Sequence, residues 1–270
     1  MATVMARPRA SGGIARVFEH RYLQYRRTFR ASIFSSFLTP VLFLAAMGLG
    51  LGSYVDSASA TESIGGVPYL VFLAPGLLVA TCMQSASFES AFPMMAGLRW
   101  SRIFHAMVAA PISPAEVTLG NLAWIGARIL LVATVFTVVV VAFGAAQSPL
   151  IVLAIPVGAL TGLAFAAPIM AYCATLKTPD KFNALFRFGI TPLFLFSGTF
   201  YPVESLPPLI QPLAWITPLW HGVALARGLS LGTIGDEPLM ALIHLAILGA
   251  FVVVGSWFAV RTVSSALVRG

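Results

Sequence analysis

Long apolar runs alternate with short basic stretches along the chain, and this alternation predicts membrane spans. A helix needs about 20 apolar residues to cross the hydrocarbon core. Charge-free runs of that kind lie at Ala31–Val55, interrupted only by Pro40, and within Ser63–Phe88. No charge occurs between Ile129 and Leu176, room enough for more than one crossing, and Gly144–Pro149 (GAAQSP) supplies a turn. Span three is therefore expected at about Val117–Phe143 and span four at about Leu150–Thr175. Span five is expected at Asn183–Tyr201, with Arg187 snorkelling at its inner end, and span six at Pro238–Val260.

The stretch after span five breaks the pattern. Proline stands at 202, 207, 208, 212 and 218, yet no Asp, Glu, Lys or Arg lies between Glu204 and Arg227. So apolar a segment leaves water, while its prolines remove backbone donors and interrupt any continuous helix. Unsatisfied peptide groups facing lipid cost several kcal/mol each. The expected solution is a broken, re-entrant helical hairpin within 202–227, dipping into the outer face behind neighbouring spans.

Charge fixes the expected orientation. Lys and Arg accumulate on the cytoplasmic side of membrane proteins. Six spans put Arg7, Arg9, Arg16, Arg21, Arg26, Arg27 and Arg30 on one side with Arg99, Arg102, Lys177, Lys181, Arg187, Arg261 and Arg269. Those are 14 of the 16 basic residues, the exceptions being Arg128 and Arg227. The opposite loops hold Asp56, Glu62, Glu204, Asp236 and Glu237. A seventh span would place the tail arginines outside, so six spans with both termini cytoplasmic is the expectation.

Before the first span, residues 1–13 read as a disordered cytoplasmic N-terminus without a cleavable signal pattern. In 14–30, Phe18, Tyr22, Tyr25 and Phe29 recur at helical spacing among Arg16, Glu19, His20, Arg26 and Arg27. This predicts a basic amphipathic helix on the inner membrane surface, an anchor or also a force-transmitting lever. Residues 31–260 then form the membrane domain and 261–270 a cytoplasmic tail.

Composition agrees. The chain is 59% hydrophobic and 9% charged, against about 25% charged in soluble domains. The net charge of +7 follows from topology rather than from nucleic-acid binding. Cys82 and Cys173 sit in apolar runs and read as small buried hydrophobes. Neither lysine closes a phosphate-binding loop, the four histidines have no metalloprotease spacing, and no Gly-X-Ser-X-Gly is present. Enzymatic chemistry, a bound cofactor and a metal are therefore not expected in this chain.

Ionisable groups at membrane depth remain. Arg128 lies 11 residues into span three, about 16 Å along the helix. A charge there faces protein or a water-filled cavity, with Gln84 and Glu89 as expected partners. Its role is open between a packing clamp and substrate passage. His244 reads as a packing residue. Phe182, Phe186, Phe188, Phe194, Phe196 and Phe200 form a wall suited either to an amphiphile or to ordinary packing.

Three blocks carry a resemblance: RRTFRASIFSSFLTPVLFLAAMGLGLG; YLVFLAPGLLVATCMQSASFES with GLRWSRIFHAMVAAPISPAEVTLGNLAW; and SGTFYPVESLPPLIQPLAWITPLWHGVALARG. Over about residues 16–260 the chain resembles the membrane subunit of type-2 ATP-binding-cassette exporters, in the branch of nodulation-factor and anthracycline-type exporters. The third block is the most specific.

The resemblance implies an all-α fold of six spans, with the inner amphipathic helix and the outer re-entrant hairpin. It also implies residence in a bacterial cytoplasmic membrane among its lipids. Two permease subunits, a homodimer or a pair with a close paralogue, surround the path. ATP and Mg are bound by a separate nucleotide-binding ATPase subunit. The loop 93–116 matches the family's coupling element, where Arg99 and Arg102 provide charge and Trp100, Ile103 and Phe104 an apolar anchor. Phe194, Phe196, Phe200, Tyr201, Pro202, Leu206 and Trp215 match the translocation path and outer gate. The expected cargo is an amphiphilic drug, lipid or lipid-linked glycan. Two other readings stay open at this point. One is an ion-coupled secondary transporter, for which the chain shows no internal repeat. The other is a non-transporting scaffold for a peripheral ATPase.

Overall fold

The computed structural model describes residues 12–27, 29, 38, 41–52 and 66–269. Residues 1–11 of the expected disordered start and most of the expected first span, Ala31–Val55, lie outside the described residues, while Gly12 and Gly13 already open the first helix. What is described of that span, position 38 and 41–52, is helical, with a π-wound stretch at Leu44–Leu51.

Every regular element among the described residues is a helix. Helix α1 (Gly13–Arg26) comes first, and α2 is the segment 41–52. Helix α3 (Tyr69–Met95) runs on through a π turn at Ala96–Trp100. A short α4 (Ile103–Ala109) and a long α5 (Pro114–Ala142) follow. Helix α6 (Ala154–Thr175) opens from a 3₁₀ turn at Pro149–Leu153. Helix α7 is the run 180–196, with a π turn at Phe186–Ile190 in its middle. Then come α8 (Gln211–Ile216), α9 (Pro218–Leu231) and α10 (Pro238–Arg269).

Local chemistry explains several boundaries. Ser113 Oγ accepts from the Glu116 backbone N–H at 3.2 Å, while Glu116 Oε2 accepts from the Ser113 N–H at 2.7 Å. This capping box, with Pro114 in the first turn, starts α5 abruptly. Thr217 caps α9 with its side chain alone, accepting from the Trp220 N–H, and Pro218 follows it. Pro75 and Pro93 lie inside α3, and the π turn comes just after Pro93, where the helical bonding pattern has already been broken.

Among the described residues, four helices are long and apolar enough to cross a membrane: Tyr69–Trp100, Pro114–Ala142, Pro149–Thr175 and Pro238–Val268. They correspond to the expected spans two, three, four and six, with shifted ends. The second starts at Tyr69, inside the Ser63–Phe88 run, and continues well past Phe88, because Glu89 has a partner, described below, and does not end the helix. The last continues to Arg269 rather than stopping at Val260. The fifth stretch begins earlier, at Asp180, and ends at Phe196, short of Tyr201. Its helical run of 17 residues rises about 26 Å.

Helix α3 is the centre of the bundle and α10 its margin. In their most apolar stretches 78% of residues are buried in α3 and 11% in α10. Helix α6 packs on both, α5 on α3 and α6, and α1 on α5. The core between α3, α5 and α6 is built from Leu78, Cys82, Met83, Ile129, Phe136 and Met170. Both cysteines are buried and free.

Candidate functional site

The bundle has two ends. At one lie α1, the end of α3, α4 and the start of α5. At the other lie the start of α3, the turn between α5 and α6, and the segment from Ser197 to the end of α9.

At the first end, α1 is seated on α5. Val17 is fully buried, and a Cβ placed on Gly120 would collide with it, so the bare backbone at 120 is what admits α1. Phe18 and Tyr25 both meet the Trp124 ring edge-on with centroids 5.5 Å away. Tyr22 and Phe29, the other two members of the expected aromatic stripe, are exposed. The aromatic face of α1 is therefore divided between the protein and its surroundings.

Arg128 lies directly beyond this contact. Its guanidinium stacks 4.4 Å over the Tyr25 ring, and its Nε is 3.5 Å from Glu89 Oε1. Both charged side chains are largely buried, which the pairing makes tolerable. Gln84, the other expected partner, is half-buried on α3, more than one turn before Glu89. Above the pair opens a cavity of about 580 Å³, walled by Phe92, Trp100, Phe104 and Trp124 and reached by His20 and Arg21 of α1. Burial pushes the Arg21 guanidinium below its ordinary pKa; Glu89 partly offsets this and Arg128 adds to it. Burial, then Arg21, likewise lowers the His20 imidazole.

Of the expected coupling residues, Trp100, Ile103 and Phe104 border the same cavity, and the five do not form one exposed cluster. Trp100 is 59% exposed. Arg102 is exposed and holds a left-handed backbone (φ 51°) that turns the chain from the π stretch into α4. Arg99 and Ile103 are half-buried, and the Arg99 Nε is enclosed without an acceptor. Phe104 is 1% exposed, its ring pressed where a Cβ on Gly97 would otherwise sit. The expectation of Phe104 as a surface anchor is thus corrected: it fixes α4 to the end of α3 and leaves Trp100 and Arg102 outward.

At the second end, the proline-rich segment contains a 3₁₀ turn (Val203–Ser205), α8, a break at Thr217, and α9. The opened backbone finds partners inside the protein. Gln211 Nε2 donates to the Leu206 and Glu204 carbonyls at 2.9 and 3.2 Å, and Tyr69 Oη donates to the Phe200 carbonyl at 3.3 Å. The Ser197 and Thr217 hydroxyls are 3.1 Å apart. A Cβ on Gly222 would strike Val79 and Thr161, and the Gln147 and Ser148 N–H groups donate to the Ser230 carbonyl. Helix α9 therefore runs from beside the interior of α3 and α6 to the turn between α5 and α6.

The expected gate residues separate here. Phe194 and Phe200 meet edge-on at 5.1 Å, and Tyr201, Pro202 and Leu206 are half-buried around the turn. Phe196 and Trp215 are each 40% exposed. The expected phenylalanine wall divides as well: Phe186 stacks on Phe88 at 4.4 Å and Phe182 meets Phe92 at 5.3 Å, whereas Phe188 points outward.

The pattern of the family described as ABC-2 type transporter matches residues 14–231, most of the chain. The chain belongs to that family. Among its relatives, nodulation protein J of Sinorhizobium fredii is 32% identical over 211 residues, covering 78% of each chain. Nodulation protein J of Rhizobium leguminosarum bv. trifolii is 32% identical over 230 residues, 85% of this chain and 86% of the relative. The inner membrane transport permease YadH of Escherichia coli is 24% identical over 221 residues, 82% of each chain. The ABC-2 match begins within α1 and ends with the last residue of α9, so it takes in both ends described above.

Sequence reasoning missed two features of this ABC-2 chain. Arg227, set aside as an exception to the basic asymmetry, is turned into the protein. Its Nη2 donates to the Gly198 carbonyl at 2.8 Å, its Nε donates to the Phe72 carbonyl at 3.3 Å, and its guanidinium lies 3.7 Å over the Phe72 ring. The signal was present: a lone charge in an apolar run, the same argument that singled out Arg128. The second is the His221–His244 pair, with Nδ1 atoms 2.7 Å apart and Trp220 edge-on to both rings. No spacing announces it, since the two residues come from different helices.

Proposed function

We propose that this chain is the membrane-embedded permease of an ATP-driven exporter. It spans the bacterial cytoplasmic membrane six times with both termini inside, and it pairs with a second copy or a close paralogue. A separate ATPase subunit binds ATP and Mg. The cargo is an amphiphilic drug, lipid or lipid-linked glycan, moved past the outer hairpin. The ABC-2 match from α1 through α9 carries this reading.

The geometry supports a mechanical role for the first end. A push on Trp100 or Arg102 reaches α3 through Phe104 and Gly97, and reaches α1 through Trp124 and Tyr25. In this reading α1 and the loop 93–116 are levers, and Arg227 ties the hairpin to α3 at the opposite end. ATP binding shifts the equilibrium because it favours one of the two states. The buried Arg128–Glu89–Tyr25 contact is a packing clamp between α1, α3 and α5.

The test is copurification with the ATPase and assay of its hydrolysis. Arg99→Glu with Arg102→Glu is expected to insert normally and to lower substrate-stimulated hydrolysis by about tenfold or more, as losing charged contacts at an interface commonly does. Unchanged stimulation would remove the docking assignment.

A further inference from the structure

The cavity at the first end has more positive charge than its own walls neutralise. Arg21 and Arg128 face it with a single carboxylate, Glu89, between them. Glu89 is committed to Arg128 at 3.5 Å. Arg21 is left with its Nε enclosed and without an acceptor, and with only a long contact from Nη1 to Gln24 Oε1 at 3.4 Å. An enclosed guanidinium N–H without a partner costs free energy unless something else accepts from it. The remaining walls mix His20, Gln24 and Ser101 with aromatic and apolar side chains, Phe92, Trp100 and Trp124 among them. Beside the cavity α1 leaves Tyr22 and Leu23 exposed, which continues the apolar surface outward.

We propose that this cavity binds an amphiphile with a phosphate headgroup, the phosphate accepting from Arg21 and Arg128 and the tail lying along the aromatic wall and α1. A guanidinium fork matches phosphate oxygens in geometry as well as in charge. Aromatic walls favour a ligand with a tail over a bare ion, and the exposed apolar side chains of α1 beside the opening favour a lipid-like molecule over a protein segment. Binding itself is independent of transport. Its role as the loading position for cargo from the inner leaflet rests on the exporter reading above.

The experiment measures equilibrium binding of fluorescently tagged phosphatidic acid to the full chain in neutral-lipid nanodiscs. The matching tagged diacylglycerol and inorganic phosphate serve as competitors. Phosphatidic acid is expected to bind at least tenfold more tightly than diacylglycerol. Arg21→Gln should abolish that preference and Arg21→Lys retain part of it. Glu89→Gln removes the only carboxylate among the described residues that line the cavity and should tighten binding about threefold, a gain that simple misfolding would not produce. Equal affinity for the two lipids, or an Arg21→Gln variant that binds as the unaltered chain does, overturns the proposal. Displacement by inorganic phosphate at concentrations equal to the lipid would assign the site to a free anion and overturn the amphiphile. Loss of ATPase copurification in Arg21→Gln, with no lipid preference in the unaltered chain, would assign the cavity to an acidic segment of the partner. The nanodisc binding measurement itself contains no ATPase, so the lipid preference of the unaltered chain is read independently of the Arg99→Glu, Arg102→Glu copurification test.

Discussion

Arg227 shows how one residue holds a broken backbone together. The segment around Gly198 has left helical geometry, and its carbonyl needs a donor; the Phe72 carbonyl on α3 accepts from the same side chain. A single guanidinium supplies both, and Phe72 supplies its ring face. Lysine has no planar fork, so it cannot replace these contacts. Arg227→Gln is expected to cost about 2 kcal/mol, the value of one or two charge-assisted hydrogen bonds. Thermal unfolding in detergent should read this as a fall of about 4–8 °C in Tm. Gly97 is the matching case at the other end. Alanine there gains up to about 1 kcal/mol in helix propensity but costs about 1–3 kcal/mol by overpacking against Phe104. Net destabilisation should follow. Phe104→Leu should be less harmful in the Gly97→Ala background than alone, a coupling measurable by a double-mutant cycle on Tm.

Among elements, α1 carries the clearest consequence. Its amphipathic pattern predicted a surface helix, and its aromatic positions were legible. Which of them would turn inward was not, because helical spacing allows a wide apolar arc and only the groove at Gly120 selects Val17 and Phe18 from it. Filling that groove should release the helix. Gly120→Val is expected to make a cysteine at Val17 react with a soluble maleimide at least tenfold faster, since a fully buried position becomes an exposed one. An unchanged rate would mean that α1 is held elsewhere. The short α4 was read as a loop with an exposed apolar cluster. It is a helix whose Phe104 is spent on the interior, a distinction that seven residues cannot announce by periodicity.

At the scale of the molecule, the proline-rich segment decides the topology. Helix α9 lies against the interior of α3 and α6, then rises to the turn before α6, so the chain is expected to enter and leave by the same face. A cysteine at Ser205, which is exposed, should then be labelled by impermeant maleimide from outside intact cells. The two native cysteines are buried and should remain silent under the same conditions. Labelling of Ser205→Cys only after permeabilisation would reverse the orientation and remove the exporter geometry.

Hydrophobic length, proline placement and basic asymmetry depend on the chain alone, because bilayer thickness, missing donors and membrane potential act on residue type wherever a segment packs. Four helices long and apolar enough to cross a membrane, the break after the fifth stretch and the family resemblance were therefore readable from the chain alone. Glu89 with Arg128, Arg227 with Gly198, and His221 with His244 depend on which helix faces which. Those contacts are set by small residues that let backbones approach and by pockets that choose among similar apolar faces. Such choices belong to three-dimensional packing, and the cavity beneath α1, with its unneutralised arginine, exists only there.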